Sequence, residues 1–309
     1  MNPSLPVEAE AFGAAAARAF ASLGGVDAAR TAEADPSTRR TTVGRALAAL
    51  GVDGLDPRED LDTAAAAGEL CRQAGRVALP YPVVGALLSV DGIPFALGPA
   101  PIDHGDLFDG WRSGTIDGRV SLVAPAGSGL GSRLGPFVTP MSEASAAGSA
   151  PWDSVLHLTL TGWQILGTLE RAVELAVEHV TGRIQFGKPL SSFQAVQFQL
   201  ADAAVAVEGV RELCRYTLWR AFDADPPDAL SDALALRLAA LDSARLVLRT
   251  TQQLHGAAGV CDEYDISILC RHVQPALRLP FGAERTATEL ASAIEAHGFE
   301  SLFPHGGHR

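Results

Sequence analysis

Apolar residues recur every three to four positions through two long parts of the chain, and this spacing predicts amphipathic helices. The first part, residues 7–85, is rich in alanine, a strong helix former, and predicts three or four helices. The second part predicts four helices, which run from near Trp152 through Val180 and over about 191–222, 227–254 and 283–296. Because each apolar stripe needs a partner, we expect these four to form an antiparallel bundle.

The residues between the two helical parts have a different pattern. Two prolines in "LPYPVVGALL" are expected to stop the first helical pattern, and short β-branched or apolar runs such as "GRVSLVAP" and "GPFVTP" follow among glycines and prolines. The sequence therefore predicts a mainly α chain. Its expected parts are an N-terminal helical domain (1–88), a small reduced β-rich domain (89–151) and a C-terminal four-helix bundle (152–309).

Composition narrows the class of protein. Lys and Arg total 24 against 36 Asp and Glu, a net charge of −12, which disfavours a nucleic-acid-binding protein. The chain has no uncharged apolar run long enough to span a membrane, and its start lacks the basic residues of a signal peptide. The four cysteines have no CxxC spacing. We therefore expect a cytoplasmic protein with reduced, mostly buried cysteines.

A short basic loop, "RIQFGKPLSSFQAVQ", separates the first two bundle helices. Arg183 offers a planar fork of donors that suits a diphosphate, Phe186 places a ring beside it, and Gly187 allows close approach of the backbone. The loop thus predicts a contact with a phosphate-bearing cofactor. The alternative is that Arg183 caps the preceding helix or pairs with a surface carboxylate. Ser191 and Ser192 are predicted to cap the next helix.

A second motif, "QLHGAAGVCDEYDISILCR", follows the third bundle helix. The two motifs together resemble the acyl-CoA dehydrogenase family of flavoproteins. In that family an R-x-x-F-G loop reaches across a subunit interface to the adenosine diphosphate part of the neighbour's FAD. A Q-x-x-G-G-x-G stretch lies against the same flavin. The resemblance assigns cofactor contacts to Arg183, Phe186, Gln253, Gly256 and Ala257, where alanine replaces a family glycine.

The family's catalytic carboxylate has no clear counterpart in the sequence. Most members place a glutamate in a Y-E-G-T motif, nine residues after an arginine that we match to Arg271, but this position is Pro280. Glu284 stands four residues later and is a weak candidate, since a first-turn glutamate commonly serves the helix dipole. A second family position falls on His157, more typical of a core residue. We therefore predict no catalytic residue.

The part of the flavin site that a subunit uses itself is also missing. Neither a T-E-P-x-A-G-S-D-like stretch nor a W-I-T stretch occurs in the middle region, and "GSGLGS" (127–132) is typical of a turn. No metal site is predicted, because the histidines lack metal-ligand spacing with cysteines or carboxylates. His255, inside the second motif, is expected to have a structural or flavin-flanking role.

The retained and missing features together predict a partner. The chain resembles the short, degenerate subunits of heteromeric (α2β2) acyl-CoA dehydrogenases, associated in bacteria with degradation of CoA-linked steroid side chains. The resemblance implies a larger subunit with the catalytic glutamate, a shared FAD, an acyl-CoA substrate and electron-transfer flavoprotein as acceptor. Two alternatives stay open: a self-sufficient homodimeric dehydrogenase that uses Glu284 or His157, and a scaffold subunit that binds no flavin.

Overall fold

The computed structural model describes residues 5–98, 101–127, 132–142, 145–224 and 226–297. Five α-helices precede the strands in this part of the chain: α1 (Val7–Ser22), α2 (Asp27–Ala34), α3 (Arg45–Ala49), α4 (Leu61–Arg76) and α5 (Val83–Leu87). Asp60 begins α4, because its side chain accepts a hydrogen bond from the Thr63 amide at 2.7 Å. Helix α4 ends at Arg76, and Pro80 and Pro82 lie in the break before the short helix α5, whose N-cap is Pro82.

The middle region forms two small sheets. Their strands are β1 (Phe95–Leu97), β2 (Ile102–Asp103), β3 (Trp111–Gly114), β4 (Arg119–Val123), β5 (Val138–Thr139) and β6 (Ala146–Ser149). The larger sheet has the order β1-β3-β4-β6, with β1 parallel to β3 and the other pairs antiparallel. The smaller sheet pairs β2 with β5. Most of the predicted turn at 127–132 lies outside the described residues.

Long helices dominate the rest of the chain. They are α6 (Pro151–Gly182), α7 (Gln194–Asp223) and α8 (Pro226–His255), followed by α9 (Asp265–His272), α10 (Gln274–Arg278) and α11 (Ala283–His297). Helix α8 packs on α6, α7 and α11, which gives the expected bundle. The predicted fold class, mainly α with a small β region and a C-terminal bundle, is confirmed.

The predicted serine cap of α7 is wrong. Helix α7 begins after Phe193, and the two serines lie in a short 3-10 turn before it. The hydroxyl of Ser192 donates instead to the carbonyl of Pro189 at 2.7 Å. Phe193 occupies the N-cap position of α7, which has no side-chain cap hydrogen bond.

Helix α6 is the central element, since it packs against α4 on one side and against α7 and α8 on the other. Its apolar stripe is buried in the core cluster, which also contains residues of the N-terminal helices and of the sheet region. The α4–α6 crossing is unusually close. A Cβ added at Gly75 would overlap the carbonyl of Gln164, and one added at Gly167 would overlap the carbonyl of Arg72.

Replacing Gly167 with alanine should therefore destabilise the chain. The added methyl group forces two backbones apart, and overpacking of this kind costs about 1–3 kcal/mol. The matched control is Gly209→Ala on the exposed face of α7, where nothing lies within 4 Å. This control should gain about 0.5–1 kcal/mol from helix propensity. Urea unfolding of both variants checks the contrast, and equal stabilities would contradict the described crossing.

Candidate functional site

The Arg183 loop is a tight β-hairpin. Strands β7 (Ile184–Gln185) and β8 (Lys188–Pro189) pair in antiparallel register, and the two residues between them both have positive φ, 54° at Phe186 and 80° at Gly187. Two successive left-handed residues produce the type I′ turn that matches strand twist. Phenylalanine is uncommon in this conformation, so Phe186 is held at the tip at a local energetic cost.

The hairpin presents its aromatic and basic side chains to solvent. Phe186 is 89% exposed and meets only the edge of Phe193, with ring centroids 6.1 Å apart. The ammonium of Lys188 lies 4.2 Å from the centroid of that same Phe193 ring, a cation–π contact. A large apolar side chain displayed in this way is typical of a surface that another molecule covers.

Arg183 is free to bind a ligand. Its side chain is exposed and makes no hydrogen bond or ion pair with any residue that the structure describes. The alternative interpretation, a helix-capping or ion-paired arginine, therefore has no contact to support it within the described residues. Lys188 also lacks an acidic partner there, so two cations stand together on the hairpin. The sequence analysis missed Lys188, although it directly follows the glycine of the motif.

The second motif ends α8 and continues into a 3-10 segment, Gly256–Val260. Gln253 and Ala257 are exposed, and Gly256 has a φ of 59°, which turns the chain out of the helix. Gly259 is buried against the backbone of Gln252. A Cβ at this position would lie 2.5 Å from the carbonyl oxygen of Gln252. The motif thus combines an exposed side-chain amide at Gln253, an exposed backbone at Gly256 and a close backbone contact between Gly259 and Gln252.

The two motifs lie at the same end of the bundle. The ring of His179, in the last turn of α6, stands 4.6 Å from the ring of His255 at the end of α8. His255 is fixed by a 2.7 Å contact between its Nδ1 and the carbonyl oxygen of Thr251, which supports the structural role expected for it. Burial, His255 and Arg183 together lower the pKa of His179. The second motif therefore lies beside the last turn of α6, which Arg183 directly follows.

These groups fit part of a flavin dinucleotide. Two unpaired cations suit its diphosphate, an exposed aromatic ring suits a planar ring system, and the Gln253 amide offers a donor and an acceptor. We call residues 183–188 and 253–257 the donated flavin site. FAD bound there would be held by side chains that make no competing ion pairs among the described residues.

A cavity of about 90 Å³ lies where the N-terminal helices, the strands and the bundle meet. His157 lines the cavity together with residues of α5, β1, β2, α6, α9 and α10. Cofactor and substrate pockets commonly measure about 300–1,000 Å³. The cavity is therefore too small in this conformation for a flavin ring or a bulky acyl group. We call it the junction cavity.

The segment after α9 contributes Pro275, Ala276 and Leu279 to the lining of the junction cavity. Pro280, at the position matched to the family glutamate, packs on Gly98 so tightly that a Cβ there would overlap it. Buried Arg237 of α8 holds this segment by donating to the carbonyls of Leu279 and Phe281 at 2.8 and 2.6 Å. The sequence analysis missed Arg237, although a lone arginine within "ALALRLAAL" is a visible signal of a buried polar role.

The two weak candidates for a base lie in different places. Glu284 is exposed in the first turn of α11 and is not among the residues that line the junction cavity. His157 lines that cavity beside Phe95, with ring centroids 5.8 Å apart, and its buried Nδ1 has no hydrogen-bond partner within the described part of the chain. Burial, with a smaller contribution from Arg237, lowers the pKa of His157 to about 3. The ring is therefore neutral near pH 7.

Two further features concern metals and membranes. Among the described residues, no group of three or more His, Cys, Asp or Glu side chains is placed to hold a metal ion. His305 and His308 lie outside the described residues. No helix in the described part of the chain is long and apolar enough to cross a membrane. All four cysteines are free thiols. Cys71, Cys214 and Cys270 are buried, and Cys261 is exposed.

His157 should make folding stability depend on pH. Its folded pKa lies below the ordinary value of about 6.5, so unfolding takes up a proton and stability falls as pH drops below about 6.5. Between about pH 6.5 and pH 5 this amounts to at most about 2 kcal/mol. Urea unfolding of His157→Leu should show a weaker pH dependence. Thr161→Val, another cavity residue, should keep the wild-type dependence, and an unchanged slope in His157→Leu would contradict the assignment.

Comparison with known sequences points to one family. Residues 159–293 match the profile described as "Acyl-CoA dehydrogenase, C-terminal domain". The chain is 34% identical to acryloyl-CoA reductase (NADH) of Anaerotignum propionicum over 110 residues, 36% of this chain and 27% of that protein. It is 30% identical to acyl-CoA dehydrogenase FadE27 of Mycobacterium tuberculosis over 162 residues, 48% and 43% of the two chains. The matches thus span less than half of these relatives.

Solved structures extend the likeness to nearly the whole chain. A variant of the Tcur3481-Tcur3483 steroid ACAD superposes with a TM-score of 0.77 at 22% identity, covering 94% of this chain and 98% of that one. The ChsE4-ChsE5 complex from Mycobacterium tuberculosis gives a TM-score of 0.77 at 18% identity, with coverages of 96% and 99%. The chain therefore has the acyl-CoA dehydrogenase fold, and its residues 159–293 are similar to the acyl-CoA dehydrogenase C-terminal domain.

Proposed function

We propose that this chain is a non-catalytic subunit that completes the flavin site of a heteromeric, FAD-dependent acyl-CoA dehydrogenase. The enzyme introduces an α,β double bond into an acyl-CoA thioester, for which bound FAD supplies the hydride acceptor. The observation that carries the proposal is the separation between the donated flavin site and the junction cavity. Both are attached to α6, but at opposite ends.

This separation follows from helix geometry. His157 lines the junction cavity near the start of α6, and Arg183 directly follows its last residue. The 26 positions between them correspond to about 39 Å along a helix axis. An extended flavin dinucleotide is shorter than this distance. A flavin held by Arg183 therefore has to place its reactive ring in a pocket of another subunit.

The small junction cavity supports a non-catalytic role. Arg237 is buried, has no carboxylate partner among the described residues, and donates through Nη1 and Nη2 to the backbone carbonyls of Ala276, Leu279 and Phe281. Opening the cavity for a flavin would break these charge-assisted hydrogen bonds, each worth about 1.5–3 kcal/mol. We infer that catalytic chemistry, including the carboxylate that removes the substrate α-proton, belongs to a larger partner subunit.

The surface beside the hairpin is suited to such a partner. Phe198 and Val205 are seven residues apart on α7, so they lie on one face, and they are 60% and 72% exposed. Phe186 and Ile184 extend this apolar surface to the hairpin. We propose that the larger subunit covers it in an α2β2 assembly. Electron-transfer flavoprotein is the proposed electron acceptor of that assembly.

For the substrate we propose a steroid side-chain CoA thioester. The support is that one of the structural neighbours is described as a steroid ACAD and that another is a complex of two differently named chains. In such an assembly the catalytic pocket belongs to the partner, and this chain keeps only the small junction cavity. With one catalytic pocket in each pair of subunits, there is room beside that pocket for a fused-ring acyl group. Turnover of a steroid side-chain CoA compared with butyryl-CoA by the assembled complex tests this assignment.

Co-expression tests the subunit arrangement. The chain is produced alone and together with a larger acyl-CoA dehydrogenase from the same genome that carries the Y-E-G-T glutamate. We expect the chain alone to be free of flavin and inactive, and the co-purified complex to contain one FAD per pair of subunits. Bound FAD and dehydrogenase activity in the chain alone would support the homodimeric alternative through Glu284 or His157 and overturn the proposal.

Arg183→Ala separates a flavin-completing subunit from a scaffold. Loss of a charge-assisted hydrogen bond to phosphate costs about 1.5–3 kcal/mol, so FAD should bind the complex about 10- to 150-fold more weakly. Arg119→Ala is the matched control, because Arg119 is an exposed arginine on β4 and its side chain is 77% exposed. The release of flavin on dilution of the complex is measured for both variants. Unchanged flavin affinity and activity in Arg183→Ala would favour the scaffold alternative.

A further inference from the structure

The junction cavity is too small for a flavin ring but large enough for a small molecule. It measures about 90 Å³, and an engineered protein cavity of about 150 Å³ holds benzene. A ligand of about four non-hydrogen atoms therefore fits the space. Most of the lining is apolar or aromatic, including Val84, Phe95 and Trp111. The proposed subunit role leaves this cavity without a ligand.

A polar stripe on α6 crosses the apolar wall. His157, Thr161 and Gln164 are spaced four and three residues apart, so they lie on one face of the helix, and all three line the cavity. The side chains of Thr161 and Gln164 make no hydrogen bond with any described residue. Because buried polar groups normally have partners, this stripe is suited to a water molecule or a small polar ligand.

One carboxylate, that of Asp103 at the end of β2, also lines the cavity. Its only ion-pair contact within the described residues is with His104, where Nε2 and Oδ2 are 3.8 Å apart. Burial, followed by Arg39 and His272, lowers the pKa of His104 well below its ordinary value, so that ring is neutral near pH 7. The Asp103 side chain is 33% exposed, yet burial raises its pKa to about 7. This combination is typical of a carboxyl group that faces a pocket inside the protein.

The neighbouring ionisable groups do not neutralise Asp103. Arg39 donates to both oxygens of Asp106, at 3.0 and 2.5 Å, so its charge is paired there. The ring of His272 lines the cavity, but its Nε2 lies 2.7 Å from Glu33. No lysine or arginine of the described residues lines the cavity. The charge on the wall therefore favours a cation over an anion.

We propose that the junction cavity binds a small primary alkylammonium ion. The ammonium group donates to the Asp103 carboxylate, the polar stripe of α6 supplies further acceptors, and the alkyl body packs against the apolar and aromatic wall. A neutral alcohol of the same size lacks the charge and offers one donor instead of three. The site is independent of the proposed subunit role, because it uses no residue of the donated flavin site.

Ligand-observed NMR titration of the full chain tests the proposal. The probes are propylammonium, its neutral isostere propan-1-ol, and the anion propionate. We expect saturable binding of propylammonium with a dissociation constant of about 0.1–10 mM, as the size of the ligand allows. Propan-1-ol and propionate should bind at least about tenfold more weakly, the size of one charge-assisted hydrogen bond.

The affinity for propylammonium should rise with pH. The Asp103 carboxyl is mostly neutral at pH 6 and mostly charged at pH 8, whereas a primary amine stays protonated at both. Propylammonium should therefore bind about tenfold more tightly at pH 8 than at pH 6. Tyr81 and His157 of the lining stay neutral, because burial raises the pKa of Tyr81 and lowers that of His157 to about 3. The His272–Glu33 pair is unchanged in Asp103→Asn, which should lose the pH dependence.

Variants locate the site. Asp103→Asn keeps the size of the side chain and should weaken propylammonium binding about tenfold or more at pH 8. Asp109→Asn is the matched control, because Asp109 is exposed and does not line the cavity. Thr161→Leu places a larger side chain on the stripe and should abolish binding of all probes. Thermal unfolding shows whether each variant is folded, and the wild-type pH profile serves where one is not.

Three results would overturn the proposal. They are the absence of saturable propylammonium binding, equal binding of propylammonium and propan-1-ol at pH 8, and equal binding by Asp103→Asn and Asp109→Asn.

Discussion

The close crossing of α4 and α6 is the contact on which the rest of the fold depends. Gly75 and Gly167 let the two backbones touch, and the Thr168 hydroxyl donates to the Gly75 carbonyl at 3.0 Å across the same contact. Side chains larger than hydrogen at either glycine would hold the N-terminal helices away from the bundle. The junction cavity lies beside this crossing, since Gln164 lines it, so its shape follows from the crossing.

A buried carboxylate reinforces the crossing. Glu170 of α6 is 6% exposed and receives hydrogen bonds from Arg72 and Arg76 of α4 and from Arg211 of α7, at 2.8, 3.1 and 3.1 Å. Three arginines from two neighbouring helices thus converge on one acceptor. Removal of a partner from a buried pair costs about 3–5 kcal/mol, because a charge is left uncompensated. The network therefore fixes the register of three helices more strictly than apolar packing does.

The long elements could be predicted from the sequence because their signals are local. The apolar stripe of α6 and the prolines in the first turn of α8 mark helices that the structure contains within a few residues of the expected bounds. The short helices α5, α9 and α10 were missed, since five to eight residues hold too few periods to recognise. The predicted serine cap was wrong because α7 begins later than expected, with Phe193 at its N-cap.

The functional residues also divide into those with a local signal in the sequence and those whose partners are distant in the chain. Arg183 and Phe186 lie in a contiguous motif, so the sequence alone could point to them, and the structure adds that their side chains are exposed and uncommitted. The partners of Arg237 could not be recognised, because they lie far away in the chain. Arg237 donates to carbonyls 39 to 44 residues further on.

Symmetry supports a different partner for the proposed role of the donated flavin site. In a two-fold dimer of identical chains, each hairpin would face the same surface on its neighbour, since such an interface is isologous. Every hairpin would then meet a chain whose junction cavity measures about 90 Å³ and which has Pro280 at the position matched to the family glutamate. Under the proposed function, the exposed Arg183 and Phe186 contact a flavin whose reactive ring lies in a larger pocket. The junction cavity of a second copy, in the conformation described, is too small for that ring, so the proposal requires a different subunit.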